Sequence, residues 1–371
     1  MNDSIKSVPF FDYKIFAKKY EEELIGVLRD VIQRGAYILQ KDLKDFEEAV
    51  ANYLGVKYVI GVANCTDGLM LALRVAGIKD GDEVILPSHT FVATAASVHF
   101  LGATPVLVDC GRDHMMDPDA FEKAITKRTK AVMPVHLNGR TCNMDRIMSI
   151  ANKHELLVIE DAAQALGSRF NGRCAGTFGI AGAISFYPAK ILGCLGDGGI
   201  VITNDDGVAE QVLLMRDHGR NHNGEVVTWG FNSRLDNMQA AILNFFFNRY
   251  DEVIAKRRDL ASIYQDRLGD LEELLLPPKP DSDLKHFDVY QNYEIEAERR
   301  DELQDYLKTV GIGTMRQWGG KAIHQFQELG FKESIPFTER MMSRELMLPM
   351  NLSVDHDDIG YICKHIRKFY S

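Results

Sequence analysis

The chain has 371 residues, 46% of them hydrophobic and 26% charged, with a formal net charge of −10. That length supports a sizeable core and more than one lobe, since a single core stops growing at roughly 250–300 residues. Its 43 Lys and Arg are dispersed among 53 Asp and Glu, so no surface is marked for a nucleic-acid backbone or an anionic membrane, and the expected partner is a small molecule.

Six cysteines, Cys65, Cys110, Cys142, Cys174, Cys194 and Cys363, lie far apart with no CxxC pair and no close Cys/His cluster. This argues against a disulfide framework and a zinc site, and points to a reducing cytoplasm. The opening MNDSIKSVPFFDYK lacks the basic-then-apolar pattern of a signal peptide, and no apolar run approaches ~18 residues. Neither secretion nor a membrane is expected.

The elements follow in order. KDLKDFEEAVANYLG places Leu43, Phe46, Val50 and Tyr53 on one stripe, a helix stopped by Gly55. KYVIGVA, Lys57 to Ala63, reads as a buried strand and DGLMLALRVAG as the helix after it. The alternation continues with EVILP, a helix through FVATAASVHFLG, PVLVD ending at Asp109, a helix from Pro118, and AVMPVH ending at His136. A helix near MDRIMSIANKH, LLVIED ending at Asp161, GAISF and GIVIT follow.

From Met238 to about Leu271 a long helical pattern bridges two lobes. The expected division is a large domain at 1–245 and a smaller one at 246–371, the latter entered by the turn PPKPDSD. That second unit mixes an extended VYQNYEIEA, a helix at RDELQDYLKTVG and a closing helix near IGYICKHIRKFYS. Strand and helix in turn, with strands apolar throughout, imply an α/β fold: a largely parallel central sheet with helices on both faces, plus a smaller C-terminal α+β domain. Ligands of such sheets sit beyond the carboxyl ends of strands. Asn64, His136 and Asp161 all end strands.

Three features could carry chemistry. In GVANCTDGLMLAL a strand passes through a small polar turn into a helix, so the amides of Cys65, Thr66 and Asp67 are expected to point outward as an anion cradle. The plainer alternative is a cap, with Thr66 or Asp67 satisfying the first turn. Asp161 in VIEDAAQALGS is a strand-end carboxylate that burial would raise unless a cation sits beside it. Gln164 falls on its face if a helical turn follows, and Asp161 as a helix cap remains the alternative. Lys190 in SFYPAKILGCLGDGG is flanked by apolar residues, which suits either a desolvated nucleophile or an ordinary snorkelling lysine.

A phosphate cradle, a strand-end aspartate and an apolar-flanked lysine, in that order, are what pyridoxal phosphate requires: an anchor, a carboxylate for the ring nitrogen and an amine for a Schiff base. At these residues the chain resembles the DegT/DnrJ/EryC1/StrS sugar aminotransferases, of the aspartate-aminotransferase (fold type I) architecture. The resemblance runs from about Pro9 to near the end. It rests on FEEAVANYLGVKYVIGVANCTDGLMLAL, GDEVILPSHTFVATAASVHFLGATPVLVD, PVHLNGR, VIEDAAQALGS, SFYPAKILGCLGDGGIVIT and WGFNSRLDNMQAAIL.

The resemblance implies that Lys190 forms the Schiff base, Asp161 holds the ring nitrogen and Gln164 bonds the ring hydroxyl. Phe91 would stack on the ring, and Thr66, Cys65 and Ser185 would take the phosphate. Asn232 would reach the phosphate in the other subunit of a homodimer with a shared site. His136, Arg316 and His324 are the implied substrate readers, and no metal is expected. The implied reaction moves an amino group, with L-glutamate the usual donor, onto a nucleotide-linked keto-deoxyhexose, for a lipopolysaccharide O-antigen or another glycoconjugate. Cys65, Asn138, Arg140 and Trp318 depart from the family's usual residues, which leaves the sugar open. The alternatives are a cofactor-dependent sugar dehydratase, where the lysine position is a histidine, and a non-catalytic cofactor-binding sensor, which would need an appended DNA-binding domain. A cysteine hydrolase built on Cys65 and His136 is a third, without a signature around the cysteine.

Overall fold

Strands form where short apolar, β-branched runs stand between turn residues. The computed structural model describes residues 6–371, so the first five residues of the MNDSIKSVPFFDYK segment lie outside it. The strands are β1 (Tyr58–Val62), β2 (Glu83–Pro87), β3 (Thr104–Val108), β4 (Thr129–Val132), β5 (Leu157–Asp161), the two-residue β6 (Arg169–Phe170) and β7 (Arg173–Cys174), β8 (Ala181–Ser185), β9 (Gly199–Thr203), β10 (Leu274–Leu275), β11 (His286–Phe287), β12 (Tyr293–Ala297) and β13 (Glu345–Leu348). The helices are α1 (Tyr13–Arg34), α2 (Lys41–Leu54), α3 (Cys65–Val75), α4 (Val92–His99), α5 (Pro118–Ala124), α6 (Met144–Lys153), α7 (Asp206–Arg216), α8 (Asn237–Phe247), α9 (Tyr250–Leu268), α10 (Arg300–Thr309), α11 (Pro336–Met342) and α12 (His356–Tyr370).

The central sheet runs β1-β9-β8-β5-β4-β2-β3. Its pairings are parallel except at β9, which is antiparallel to both β8 and β1. Alternate residues enter opposite cores. Ile60, Ala183 and Val201 pack with α3 and α7, whereas Val59, Ile184 and Ile200 pack with α2 and α8. Covered on both faces, the sheet leaves its strand ends as the place for ligands.

A second sheet orders β10-β12-β13, all antiparallel. Tyr293 of β12 stacks on Tyr264 of α9 at 4.6 Å, within a core shared with α10 and α12.

Three elements differ from expectation. The pattern from Met238 to Leu271 is two helices, broken where Arg249 leaves helical geometry (φ −117, ψ 10). Its guanidinium turns back over the Phe245 ring and donates to the Phe245 carbonyl at 2.9 Å. The strand expected to end at His136 stops at Val132, because Pro134 has no N–H for the ladder and Val135 pairs with Asp161 only as an isolated bridge. Helix α1 was not foreseen; it packs on α8 through Tyr20 against Phe245 and Phe246.

Candidate active site

The turn from β1 into α3 is capped by Asn64. Its side chain accepts the Asp67 amide at 2.8 Å and its carbonyl accepts the Gly68 amide at 3.1 Å. The cap is therefore neither Thr66 nor Asp67, and the Asp67 amide is spent inside the turn. Among the described residues, the amides of Cys65 and Thr66 have no protein acceptor, and they stand at the positive end of α3. Gly199, the first residue of β9, lies against this turn. A Cβ there would meet the Asn64 carbonyl carbon at 2.6 Å and the Cys65 nitrogen at 2.7 Å, so only glycine fits.

Asp161 ends β5 with its carboxylate buried. Oδ2 accepts from Thr94 Oγ1 at 2.7 Å and Oδ1 from the Ala163 amide at 3.1 Å. Burial pushes this carboxyl above its ordinary value, while the Thr94 and Ala163 bonds and the Lys190 charge pull it back down. Lys190 follows β8 in a turn whose amide donates to the Tyr187 carbonyl at 2.8 Å. Burial lowers its amine below the ordinary lysine value, opposed by Cys65 and Asp161. The three groups are thus electrostatic neighbours. Burial also drives the Cys65 thiol well above its ordinary value, with Asp161 adding to the rise.

Gln164 Oε1 accepts the Asn138 amide at 2.8 Å and Asn292 Nδ2 at 3.4 Å. With both donors on the oxygen, the amide is oriented and its Nε2 has no acceptor among the described residues. Asn138 holds a left-handed φ of 54°, which asparagine tolerates. Ser185 ends β8 and accepts the Tyr187 amide at 3.3 Å. Phe91 opens α4 with its ring 53% exposed.

The remaining expected residues sit elsewhere. His136 is fully buried beside Glu160, which, next to Asp161 in β5, faces the opposite side of the sheet. Its Nε2 lies 2.8 Å from Glu160 Oε2 and its Nδ1 accepts the Cys142 amide at 3.1 Å. Both ring nitrogens are engaged inside the protein, so neither is left for a sugar. His324 is buried, with Nδ1 2.6 Å from Ser88 Oγ and Nε2 3.3 Å from Glu339 Oε1, so it braces the loop that carries Phe91. Arg316 is held by Gln304 at 2.8 Å and Asp301 at 2.9 Å. Asn232 lines a polar hollow with Ala63, Asp197 and Arg234, beside an arm that exposes Val226, Val227 and Trp229.

Sequence reasoning placed Asn64 at a strand end without giving it the cap, and missed Thr94. The Asn before CTDG and the i, i+4 spacing of Thr90 and Thr94, whose hydroxyls meet at 2.8 Å, were the available signals.

These residues fit pyridoxal phosphate. Two free amides at a helix start suit a phosphate, and a buried carboxylate raised by desolvation wants a cation such as a protonated ring nitrogen. A desolvated lysine offers the amine, and Gln164 Nε2 offers a donor. Among the described residues, no cluster of three or more His, Cys, Asp or Glu is placed to hold a metal ion. No helix among them is long and apolar enough to cross a membrane.

The profile of the DegT/DnrJ/EryC1/StrS aminotransferase family matches residues 18–367. The chain belongs to that family. It is a pyridoxal-phosphate-dependent aminotransferase. Its relatives include the dTDP-3-amino-3,4,6-trideoxy-alpha-D-glucose transaminase of Streptomyces venezuelae, 42% identical over 84% of this chain and 82% of that one. The "pleiotropic regulatory protein" of Geobacillus stearothermophilus is 40% identical over 98% of this chain and 99% of that one. Among solved structures, S. venezuelae DesV in complex with a ketimine intermediate superposes with a TM-score of 0.93 at 37% identity, covering 98% of both chains.

Proposed function

We propose that this family member transfers an amino group from L-glutamate to the keto carbon of a nucleotide-linked deoxyhexose, as a cytoplasmic homodimer that supplies amino sugars for a polysaccharide or glycoconjugate. The observation that carries the reading is the grouping of the buried Asp161 carboxylate and the half-buried Lys190 with Cys65, whose amide is one of two left free at the start of α3. The substrate class is supported by the activity of the Streptomyces transaminase.

When bound, pyridoxal phosphate supplies an electron sink that makes a carbon-bound proton of the substrate acidic. The chain's own residues do the rest. The Cys65 and Thr66 amides, with Ser185, would hold the phosphate. Asp161, whose charged form Thr94 and Ala163 favour against burial, would keep the ring nitrogen protonated. Gln164 Nε2 would donate to the ring oxygen, and Phe91 would cover the ring. Lys190 Nζ, its charged form disfavoured by burial, accepts the substrate proton and returns it as general base and acid. Two half-reactions on one site imply ping-pong kinetics.

The arm bearing Val226, Val227, Trp229 and Asn232 supports the dimer, because side chains of that size are seldom left in water together. A cofactor-binding regulator is the second reading, favoured by the name of the Geobacillus relative. The test is absorbance followed by turnover. Purified protein with cofactor is expected to show a visible band that borohydride fixes to Lys190, and to aminate a keto sugar carrying thymidine, uridine or guanosine diphosphate. A Lys190→Ala protein that keeps a reducible band and turns over overturns the assignment. A fixable band with no turnover on any such sugar favours the regulator.

A further inference from the structure

One side chain holds the Lys190 turn on both sides. Gln291 Oε1 accepts the Ile191 amide at 2.8 Å, and Gln291 Nε2 donates to the Ala189 carbonyl at 2.9 Å. Those peptide groups flank Lys190. The carboxamide meets them as a neighbouring strand would, acceptor to donor and donor to acceptor. Gln291 is 7% exposed, so water does not compete for either bond.

The segment bearing Gln291 is itself fixed. Arg257 Nη1 donates to the carbonyls of Tyr290 and Gln291 at 2.9 and 3.1 Å. Gly139 lies against it so closely that a Cβ would come within 2.7 Å of both the Tyr290 and Gln291 nitrogens. The next residue, Asn292, reaches the second inward-facing group: its Nδ2 donates to Asn138 Oδ1 at 2.8 Å and to Gln164 Oε1 at 3.4 Å. The lead into β12 therefore touches the supports of both Lys190 and Gln164.

We propose that Gln291 is the positioning residue for the reacting amine: by fixing the peptide groups on either side of Lys190, it sets where Nζ stands and ties that position to the C-terminal sheet. The proposal rests on the reading that Lys190 carries the cofactor. Lysine has a long flexible stem, so its working position depends on how firmly its own backbone is held. Small displacements of reacting groups are costly in rate. A strut that served only the fold would leave the amine's behaviour unchanged once the protein had folded.

The experiment compares wild-type holoenzyme with Gln291→Met and Gln291→Glu. It records melting temperature, the visible absorbance of the lysine-linked cofactor against pH, and kcat and KM for the amino-donor half-reaction. Gln291→Met removes both bonds at nearly constant length and is expected to lower kcat by about 10- to 100-fold, with KM for the donor moving less than about threefold. Gln291→Glu keeps the bond to Ile191 but turns a carboxylate on the Ala189 carbonyl. It is expected to raise the midpoint of the absorbance titration, because a nearby negative charge favours the protonated linkage. If both folded variants keep the wild-type midpoint and a kcat within about twofold, the proposal is overturned, whatever their melting temperatures. If Gln291→Met does not fold, Gln291→Glu decides by its midpoint. Absence of a borohydride-fixable band in the wild type is a different result, and refutes the reading of Lys190 itself.

Discussion

Thr94 donates its hydroxyl proton to Asp161 Oδ2 across 2.7 Å, and both groups are buried. The bond lowers the Asp161 carboxyl against the rise that burial imposes. Thr94→Val keeps the shape and removes the donor. A hydrogen bond to a charged group contributes about 1.5–3 kcal/mol, so kcat/KM is expected to fall about 10- to 100-fold. Because Asp161 then titrates higher, the acid limb of the pH–rate profile moves to higher pH, and Thr94→Ser restores it. An unmoved acid limb would show that Thr94 does not tune Asp161.

His114, in the loop after β3, joins the two sheets by bonding Glu294 at 2.8 Å and Glu296 at 3.2 Å, both on β12. Burial favours the neutral ring, but the bonds and charges of the two carboxylates outweigh it and raise the imidazole from 6.5 to about 10. A raised folded-state value means that the stability His114 contributes is complete below pH 6.5 and is lost as pH climbs towards 10. His114→Gln takes the close cation from buried Glu294, while Glu296 keeps Arg344 at 3.3 Å, and is expected to cost about 3 kcal/mol near pH 6. Melting curves at stepped pH check this: the gap between wild type and variant narrows up to pH 10, and a constant gap contradicts it.

Gly199→Ala places a methyl within 2.6–2.7 Å of backbone atoms of Asn64 and Cys65. Backbone cannot swing aside as a side chain does, so the turn that presents the free amides must shift. Overpacking of this kind costs about 1–3 kcal/mol, and the expected result is pyridoxal phosphate affinity weaker by about tenfold, measured by equilibrium dialysis. Unchanged affinity would mean that the phosphate does not sit on those amides.

Trp229 is 93% exposed, and Val226 on the same arm is 70% exposed. If the dimer buries that arm, Trp229→Glu sets a charge in its interface and disfavours association. Size-exclusion chromatography with light scattering is expected to show dimeric wild type and largely monomeric variant at micromolar concentration. A variant that remains fully dimeric moves the interface elsewhere.

Cys65 is held protonated by burial and the neighbouring carboxylate, which removes the thiolate a cysteine hydrolase would need. Cys65→Ala is accordingly expected to retain transaminase activity within about fivefold, read as amination of the nucleotide-linked keto sugar. Loss of all turnover with cofactor still bound would return the thiol to the mechanism.

The strands were legible because each is a short apolar run between turn residues, and β2 and β9 fall on EVILP and GIVIT as expected. Helix α1 was passed over although Tyr20, Leu24, Val27 and Val31 recur at helical spacing, because charged residues crowd its other faces and only Leu24 and Val31 among its described side chains are buried. Asp161 was found from its place at a strand end, but the same rule misdirected His136, because Pro134 ends the ladder early and the ring turns to Glu160. Gln291 gave no local signal. Its partners stand about one hundred positions upstream, and only the folded chain brings them together.

That separation bears on when the site is completed during synthesis. A ribosome that has extruded β9 has released Lys190 and the whole central sheet, yet Gln291 and Arg257 are still to come. Since domains fold largely as they emerge, the nascent large sheet holds its amine on an unbraced turn, and firm capture of pyridoxal phosphate belongs to the last stage of folding. Stalled chains ending near residue 250 are expected to bind the cofactor weakly, and those extended past β12 to bind it as the finished protein does.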